Sequence, residues 1–481
     1  MNSVSTSAVE GPSGKDQASG FDKTYMMKWF VCLLMPTLIL LTPVNESINY
    51  TANLRLFFGI TAFGILLLAF SFFDALIPAI FLPTAYYLSG IAPINIAFGS
   101  WTSAMVWMII GALLLATILE ECGLLVRIAL WCVRKCGGTY NGALYGVFLA
   151  GLVVNIFTFG NAFIIMITLG YGVCRAMKLK VSRESALLCV VTLLGGLSPV
   201  SFVYNPLYNA IAISAIRTVA PSFTIEWYDV PRYLGLIMVP ACLFTIWLFT
   251  RIFRTDKFKF EGGRAFFDEE YNKLGSMTAK EKKALIGVLI LVVYLFTEPL
   301  THLPAAWGFM TIPYILYLPG INVATAKSCK NMNWSALFFM ASCLCISFVS
   351  THLGGEKFIS HAVTPLLKGH GALFAACALL FFGTIANLFM TPYAMMAALT
   401  MPFAAVGLGL GIAPIASLMA LQLTTDMIFF PYEAAAPLIM YGFGYMPMKE
   451  YIVLSTIKVA LTVVIFLLVI YPYWNWLGFL G

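Results

Sequence analysis

Two carboxylates stand beside and inside one of the most apolar parts of this 481-residue chain. Asp426 precedes, and Glu433 interrupts, the segment MIFFPYEAAAPLIMYGFGY of residues 427–445. Because a carboxylate at bilayer depth is costly unless it is paired, hydrated or protonated, we expect Glu433 to bind a coupling proton, a cation or a substrate. The alternative is a structural carboxylate that accepts hydrogen bonds from free backbone N–H groups at the interruption. For Asp426 we weigh a second titrating site against a cap at a helix end or a hydrated vestibule.

A second interrupted apolar segment, residues 195–213, reads GGLSPVSFVYNPLYNAIAI. A gapless alignment pairs Phe202 with Phe430, Tyr204 with Tyr432, Asn205 with Glu433 and Ile211 with Ile439. Interrupted spans at corresponding positions of two halves indicate a transporter's binding site, because lipid cannot satisfy the freed backbone groups. Asn205 can hold a carboxylate, coordinate a cation through its carbonyl oxygen, or cap the half-helix that begins near Leu207.

The composition defines a membrane protein. The chain is 61% hydrophobic and 10% charged, whereas an ordinary soluble domain is about a quarter charged. The apolar runs are continuous, which favours spanning helices and excludes a β-barrel. The net charge of +7 follows membrane topology and does not indicate a nucleic-acid partner. No nucleophile elbow, Walker loop or metal-ligand spacing occurs, so we expect no enzyme, no catalytic residue, no metal site and no cofactor beyond a coupling ion.

The pattern of apolar and charged segments divides the chain into two repeats. The expected order is a disordered cytoplasmic tail (1–27), a first transmembrane helix (28–50), a first repeat (51–250), a charged cytoplasmic linker (251–283) and a second repeat (284–481). Each repeat contains a re-entrant hairpin, at 140–178 and 371–406, and then a broken helix, at 185–217 and 411–446. The interruptions NIFTFGN and NLFMTPY predict the hairpin tips.

The distribution of Lys and Arg predicts the topology. With the N-terminus in the cytoplasm, most of the 28 Lys and Arg residues fall inside, as the positive-inside rule requires. The first hairpin then enters from the cytoplasm and the second from outside, so the repeats are inverted. We therefore predict an all-α polytopic protein with about 11 transmembrane helices and two re-entrant hairpins. Lys458 is interpreted as a lysine that snorkels from the last span.

Several longer stretches carry a resemblance to a known family. They are WMIIGALLLATILEECGLLVRIAL, MNWSALFFMASCLCISFVSTHLGGEKFI and PLIMYGFGYMPMKEY, and Asn209 stands where the family has the Asn of its PPNAI motif. The chain resembles the divalent-anion/sodium symporter family, which carries di- and tricarboxylates or sulfate. The resemblance implies a scaffold domain, a moving transport domain that contains the hairpins and broken helices, and a homodimer in the bilayer of a bacterial inner membrane.

The hairpin tips depart from the family, which has Ser-Asn-Thr at each tip for sodium and substrate carboxylates. The corresponding residues here are Thr158-Phe159-Gly160 and Pro392-Tyr393-Ala394. Combining the resemblance with the polar residues nearby gives the predicted substrate site: Thr158, Gly160, Asn161, Asn205, Asn209, Thr391, Tyr393 and Glu433. The predicted ion-coupling residues are Asn155, Gly196, Asn387, Asp426 and Glu433.

Three functions fit these residues. The first is secondary active transport of a small anion, a di- or monocarboxylate, by elevator-like alternating access with Na⁺ or H⁺ as the coupling ion. The second is a cation/proton antiporter or metalloid exporter of the same superfamily, in which the carboxylates bind the driving cation. The third is an anion channel, because re-entrant hairpins also occur in channels.

Overall fold

The computed structural model describes residues 23–70, 72–73, 76–136, 139–177, 179–255, 263–301, 303, 305–355, 358, 371–388 and 390–480. The described part of the first half contains α1 (Lys23–Leu41), α2 (Ala52–Ala69), α3 (Leu76–Leu88), α4 (Ile94–Ala97), α5 (Ala104–Glu121), α6 (Leu124–Cys136), α7 (Tyr140–Thr158), α8 (Phe163–Ala176), α9 (Arg183–Gly196), α10 (Pro206–Ile216) and α11 (Leu236–Ile252). The remainder contains α12 (Gly263–Lys273), α13 (Ala279–Thr301), α14 (Ala305–Ile315), α15 (Ala326–Asn331), α16 (Trp334–His352), α17 (Ala372–Asn387), α18 (Pro392–Gly409), α19 (Pro414–Thr425), α20 (Ala435–Gly442), α21 (Met448–Ile465) and α22 (Tyr471–Trp476).

The predicted fold class, an all-α polytopic membrane protein, is confirmed. Within the described residues, seven helical segments are long and apolar enough to cross a bilayer, and five shorter helices are also apolar. In the segment Arg183–Ile216, 89% of the most apolar stretch is buried inside the protein, against 28% for Met448–Trp476. The first broken helix therefore lies at the centre of the molecule, and the last helix lies at its periphery.

Both segments predicted as hairpins consist of two helices joined by a short turn. In the first, α7 ends at Thr158 and α8 begins at Phe163. In the second, α17 ends at Asn387 and α18 begins at Pro392. Each helix has 14 to 19 residues, and the turns lie at the positions of the two predicted tips.

Both broken helices consist of two α-helices joined by irregular backbone. In the first, a 3₁₀ turn at Ser198–Ser201 separates α9 from α10. In the second, a 3₁₀ turn at Pro431–Glu433 separates α19 from α20. Prolines cause the interruptions because a proline has no N–H to continue the helical ladder, and each turn contains one, Pro199 or Pro431.

The two repeats are connected through these elements. Helices α7 and α8 both pack on α9, and α17 and α18 both pack on α19. The second half of each broken helix crosses to the other repeat, because α10 packs on α18 and α20 packs on α8. A separate small hydrophobic cluster joins α2, α3, α4 and α16 around Phe57, Tyr86 and Val349. The hairpins and broken helices thus form one packed unit, and this cluster borders it, because α16 also packs on α10 and α18.

Some element bounds differ from the predicted ones. Residues 1–22 of the predicted tail and 256–262 of the linker lie outside the described residues. Helix α1 begins at Lys23, inside the predicted tail, and ends at Leu41, before residue 50. The linker contains α12, which packs on α6.

Arg127 holds the end of the linker and does not pair with the neighbouring Glu120 or Glu121. Its Nε donates to Glu281 Oε1 at 2.7 Å, and Nη1 donates to the Gly275 carbonyl at 2.9 Å. Burial alone would raise the pKa of Glu281, but the hydrogen bonds from Arg127 and Thr278 outweigh burial and hold that pKa below its usual value.

Candidate functional site

The first tip is stabilised by its own polar side chains. Thr158 Oγ1 donates to the Val154 carbonyl at 2.8 Å and accepts from the Asn161 N–H at 3.2 Å. Asn161 Nδ2 donates to the Thr158 carbonyl at 3.1 Å. Phe159 and Gly160 have left-handed backbones, with φ of 51° and 88°. The predicted site residues Thr158 and Asn161 are therefore engaged within the turn itself.

Asn205 connects the first tip to the first broken helix. Its Oδ1 accepts from the N–H groups of Leu207 at 2.9 Å and Tyr208 at 3.3 Å, which caps α10. A Cβ added at Gly160 would lie 2.6 Å from Asn205 Nδ2. The tip can therefore reach Asn205 because residue 160 lacks a side chain, and its positive φ also favours glycine.

The second tip reaches the same place from the other repeat. Thr391 Oγ1 accepts from the Ala394 N–H at 3.4 Å and caps α18. The Tyr393 ring meets the Tyr208 ring edge-on, with centroids 5.1 Å apart, and the Tyr393 hydroxyl lies beside the Asn205 side chain. The N-terminal turns of α10 and α18 therefore meet, and helix N-termini attract anions.

Asn209 lies in the first turn of α10, and its N–H donates to the carbonyl of Asn205, the residue that caps this helix. The Asn209 side chain is 2% exposed, and both its Nδ2 and its Oδ1 lack a hydrogen-bond partner among the described residues. Buried amides are almost always hydrogen-bonded, so this group has unused capacity for one donor and one acceptor contact. Three predicted substrate residues, Gly160, Asn205 and Tyr393, thus lie together, and Asn209 follows one turn along α10.

Two asparagines fix the broken helices to the hairpins in equivalent ways. Asn155 Nδ2, on α7, donates to the carbonyls of Gly195 at 3.0 Å and Gly196 at 3.2 Å. Asn387 Nδ2, on α17, donates to the carbonyls of Met427 at 3.0 Å and Thr424 at 3.2 Å. In both asparagines, Oδ1 is buried and has no partner among the described residues.

The helix ends explain why these carbonyls need side-chain donors. The N–H four residues after Gly195 would belong to Pro199, and the N–H four residues after Met427 would belong to Pro431. At Gly195, at the end of α9, Pro199 removes the helical donor, whereas Met427 already lies beyond the end of α19; Asn155 and Asn387 supply a donor in each case. Four of the five predicted ion-coupling residues therefore lie on or next to the breaks: Asn155, Gly196, Asn387 and Asp426.

Glu433, the fifth, caps its own turn. Its Oε1 accepts from the N–H groups of Phe430 at 2.8 Å and Phe429 at 3.2 Å. Among the described residues, no hydrogen bond joins it to Asn205, its counterpart in the alignment. These contacts are those of a carboxylate that satisfies freed backbone N–H groups.

Asp426 is part of a buried cluster that includes Lys458 of α21. Lys458 Nζ lies 2.7 Å from Asp426 Oδ1, 2.9 Å from the Asp426 carbonyl and 3.1 Å from Ser198 Oγ. Ser198 Oγ also donates to Asp426 Oδ1 at 2.7 Å. The prediction that Lys458 snorkels to the interface is wrong, because its side chain is 14% exposed and points to the breaks of both helices.

Two sequence signals for these contacts were available. Ser198 and Asp426 are 228 residues apart, which is the offset of the two broken segments, so they are equivalent positions. The spacing Gly-x-x-x-Asn also occurs in both hairpins, ending at Asn155 and Asn387. In the first, a Cβ on Gly151 would lie 2.3 Å from the Gly195 backbone, so glycine permits the approach on which the Asn155 hydrogen bonds depend.

Paired hairpins and broken helices, with buried polar groups at the breaks, are the features of a secondary transporter in which the site lies between these elements. Among the described residues, no group of three or more His, Cys, Asp or Glu could hold a metal ion.

Comparison with known families agrees with this class. The profile of the sodium:sulfate symporter transmembrane region matches residues 23–480, and the chain belongs to this family. The predicted resemblance to divalent-anion/sodium symporters is confirmed. The protein is therefore a multi-pass membrane protein and a secondary transporter of anions, in a family of transporters and not of enzymes.

Solved structures share the fold at low sequence identity. The YdaH transporter of Alcanivorax borkumensis is 13% identical with a TM-score of 0.56, over 95% of this chain and 99% of that one. MtrF of Neisseria gonorrhoeae, described as one of a class of antimetabolite efflux pumps, is 12% identical with a TM-score of 0.58, over 83% of this chain and 85% of that one. No curated protein sequence matches the chain.

Proposed function

We propose that this protein is an ion-coupled symporter of small organic anions, di- or monocarboxylates, in a bacterial inner membrane with its N-terminus in the cytoplasm. The observation that carries the proposal is the unpartnered amide of Asn209, one turn beyond the Asn205 cap of α10. A carboxylate can accept from its Nδ2, and the positive end of the α18 dipole beside Asn205 favours an anion.

The charges around this region favour an anion. Asp426 is neutralised by Lys458, and the Glu433 carboxylate is bound by backbone N–H groups. At the opposite, C-terminal end of α10, a cavity of ≈ 430 Å³ is lined by Arg217 and His352 together with serine and threonine side chains, and its lining includes neither Asn205 nor Asn209. A cationic side chain at the mouth of such a cavity attracts anions and raises their local concentration.

Elevator-like alternating access is supported by the packing. The hairpins and broken helices pack on one another across the two repeats, whereas the cluster around Phe57 and Tyr86 is formed by other helices, which contact this group through α16 and α2. We assign the first group to the transport domain and the second to the scaffold. The homodimer follows from the family resemblance and belongs to the same proposal.

The test uses purified protein in proteoliposomes, with labelled mono- and dicarboxylates and sulfate, and with sodium and proton gradients imposed separately. Concentrative uptake of a carboxylate is expected. Passive equilibration would identify a channel. A change of luminal pH without any organic solute would identify a cation/proton antiporter.

The decisive variant is Asn209→Leu. Since neither polar atom of this side chain has an internal partner, the substitution removes no internal hydrogen bond, and stability in detergent should be unchanged within about 0.5 kcal/mol or should increase. Uptake should fall at least tenfold. The matched control is Asn155→Leu, which has the same side-chain change but loses two hydrogen bonds between helices. Full uptake by Asn209→Leu would refute the assignment of the substrate site.

A further inference from the structure

The environment of Lys458 resembles that of a bound cation. Its ammonium group lies within 3.1 Å of three oxygens of different kinds: the Asp426 carboxylate, the Asp426 carbonyl and the Ser198 hydroxyl. Carboxylate, carbonyl and hydroxyl oxygens are also the ligands that hard metal cations prefer. The C-terminal ends of α9 and α19, with their partial negative charge, precede these residues.

The position of the cluster is equivalent in the two repeats. Ser198 follows the last residues of α9, and Asp426 follows α19. Exposed carbonyls and helix ends at such breaks are where secondary transporters bind coupling cations. In this chain a third helix, α21, inserts a side chain that carries the charge of such a cation.

The charges of the cluster make it incompatible with an additional metal cation. Compared with the same carboxylate site without Lys458, a second unit positive charge about 4 Å away at an effective dielectric constant of about 20 weakens cation binding roughly 10³-fold. The titratable groups that face the pair from neighbouring helices are Tyr208 of α10, Cys242 of α11 and Tyr451 of α21, and Glu433 lies beyond Tyr451. None of these side chains supplies a carboxylate directly at the pair.

We propose that the Lys458 ammonium group takes the place of a coupling sodium ion between the two broken helices, and that Asp426 accepts the coupling proton instead. The proposal rests on the proposed symport function and specifies its coupling ion. Asp426 Oδ2 is buried and has no partner among the described residues, so one carboxylate oxygen is available for the proton. A cavity of ≈ 20 Å³ beside Lys458, lined also by Tyr451 and Ser455, has room for about one water molecule.

The proton step is balanced. A proton from solution binds the Asp426 carboxylate and gives a carboxylic acid, and Lys458 keeps its own protons throughout. The charge of the pair changes from zero to +1, which compensates one negative charge of the transported anion. Release of the proton on the other side restores the ion pair after the anion has left.

Removing the lysine should create a sodium site, and this can be measured without any transport substrate. The thermal stability of detergent-purified protein is recorded at increasing NaCl, with choline chloride keeping the ionic strength constant. The wild type should show no saturable effect from the pair. Lys458→Ala, which keeps Asp426 and Ser198, should be stabilised by Na⁺ in a saturable way. Its apparent affinity for Na⁺ should be at least tenfold tighter than that of any response in the wild type. The control Asp426→Asn/Lys458→Ala should lose this gain, because the carboxylate is absent.

An equal sodium response in wild type and Lys458→Ala, or a gain that persists in the double variant, would overturn the proposal. If Lys458→Ala does not fold, the neutral pair Asp426→Asn/Lys458→Gln leaves no unpaired charge and is expected to be tolerated. Its uptake should no longer respond to a proton gradient, and a full response would equally overturn the proposal. If Na⁺ stabilises Lys458→Ala but the wild type transports no anion, the symport function is refuted and the proposal for Lys458 stands.

Discussion

The two asparagines that hold the broken helices provide a quantitative test of the structure. Asn155→Ala removes the side-chain donor for the carbonyls of Gly195 and Gly196, and neither carbonyl has a second donor among the described residues. A buried carbonyl left without a partner costs about 1–3 kcal/mol. The expected loss of unfolding free energy is therefore roughly 2–6 kcal/mol.

Asn387→Ala should cost about half as much. The Thr424 carbonyl also accepts from the Met427 N–H at 3.0 Å and so keeps a partner in the variant. Only the Met427 carbonyl therefore loses its donor. The expected loss is about 1–3 kcal/mol. The matched control is Asn331→Ala, an exposed asparagine that donates to Glu121, with an expected change within about 0.5 kcal/mol.

The assay is unfolding in mixed micelles followed by the fluorescence of the chain's ten tryptophans. The expected order of stability is Asn331→Ala, then Asn387→Ala, then Asn155→Ala. Equal stabilities for the two buried variants, or losses no larger than that of the surface control, would refute the view that these side chains supply donors that the breaks lack.

Three further outcomes are expected. Glu433→Gln should retain concentrative uptake and its pH dependence, because the carboxylate caps its own turn. Loss of the pH dependence of uptake would instead assign Glu433 the coupling role. Glu281→Ala should cost about 3–5 kcal/mol, because it leaves Arg127 buried and unpaired. Since the pKa of Glu281 is lowered in the folded state, its contribution to the unfolding free energy is fully present above the unfolded-state pKa of 4.5 and is lost as the pH falls through the folded-state pKa. The unfolding free energy should therefore decrease with falling pH in this range only when Glu281 is present. Arg217→Gln should raise the KM for anions several-fold, leave kcat unchanged and weaken the salt dependence of uptake, whereas uptake as salt-dependent as that of the wild type would exclude Arg217 from anion attraction.

Local sequence features predicted much of the architecture. Apolar runs and the positions of Pro and Gly act over a few residues, so the spans, the tips near residues 158 and 391 and the two breaks could be located without coordinates. The caps are also local, since Asn205 binds N–H groups two and three residues ahead and Glu433 binds those three and four residues behind. A distinction between a cap and a coupling group was not possible from the sequence, because both need the same residue types at a break.

Other contacts depended on the packing of distant helices. Lys458 looked like a snorkelling side chain because its helix is apolar and lies near the end of the chain. Its partners are 32 and 260 residues away, and only the packing of α21 on α9 brings its ammonium group to both breaks. The partners of Asn155 and Arg127 are similarly remote in sequence.

The sequence by itself determined a membrane protein, its family, and the places where the backbone is interrupted, because hydrophobicity and proline act through local physics. The tertiary structure decided which side chain satisfies each interruption. It joined Gly160, Asn205 and Tyr393 from three elements, left Asn209 without a partner, and paired Asp426 with Lys458. The physical reason is that a buried polar group must find its partner in space, and helix packing alone sets which groups are within 3 Å or so of one another.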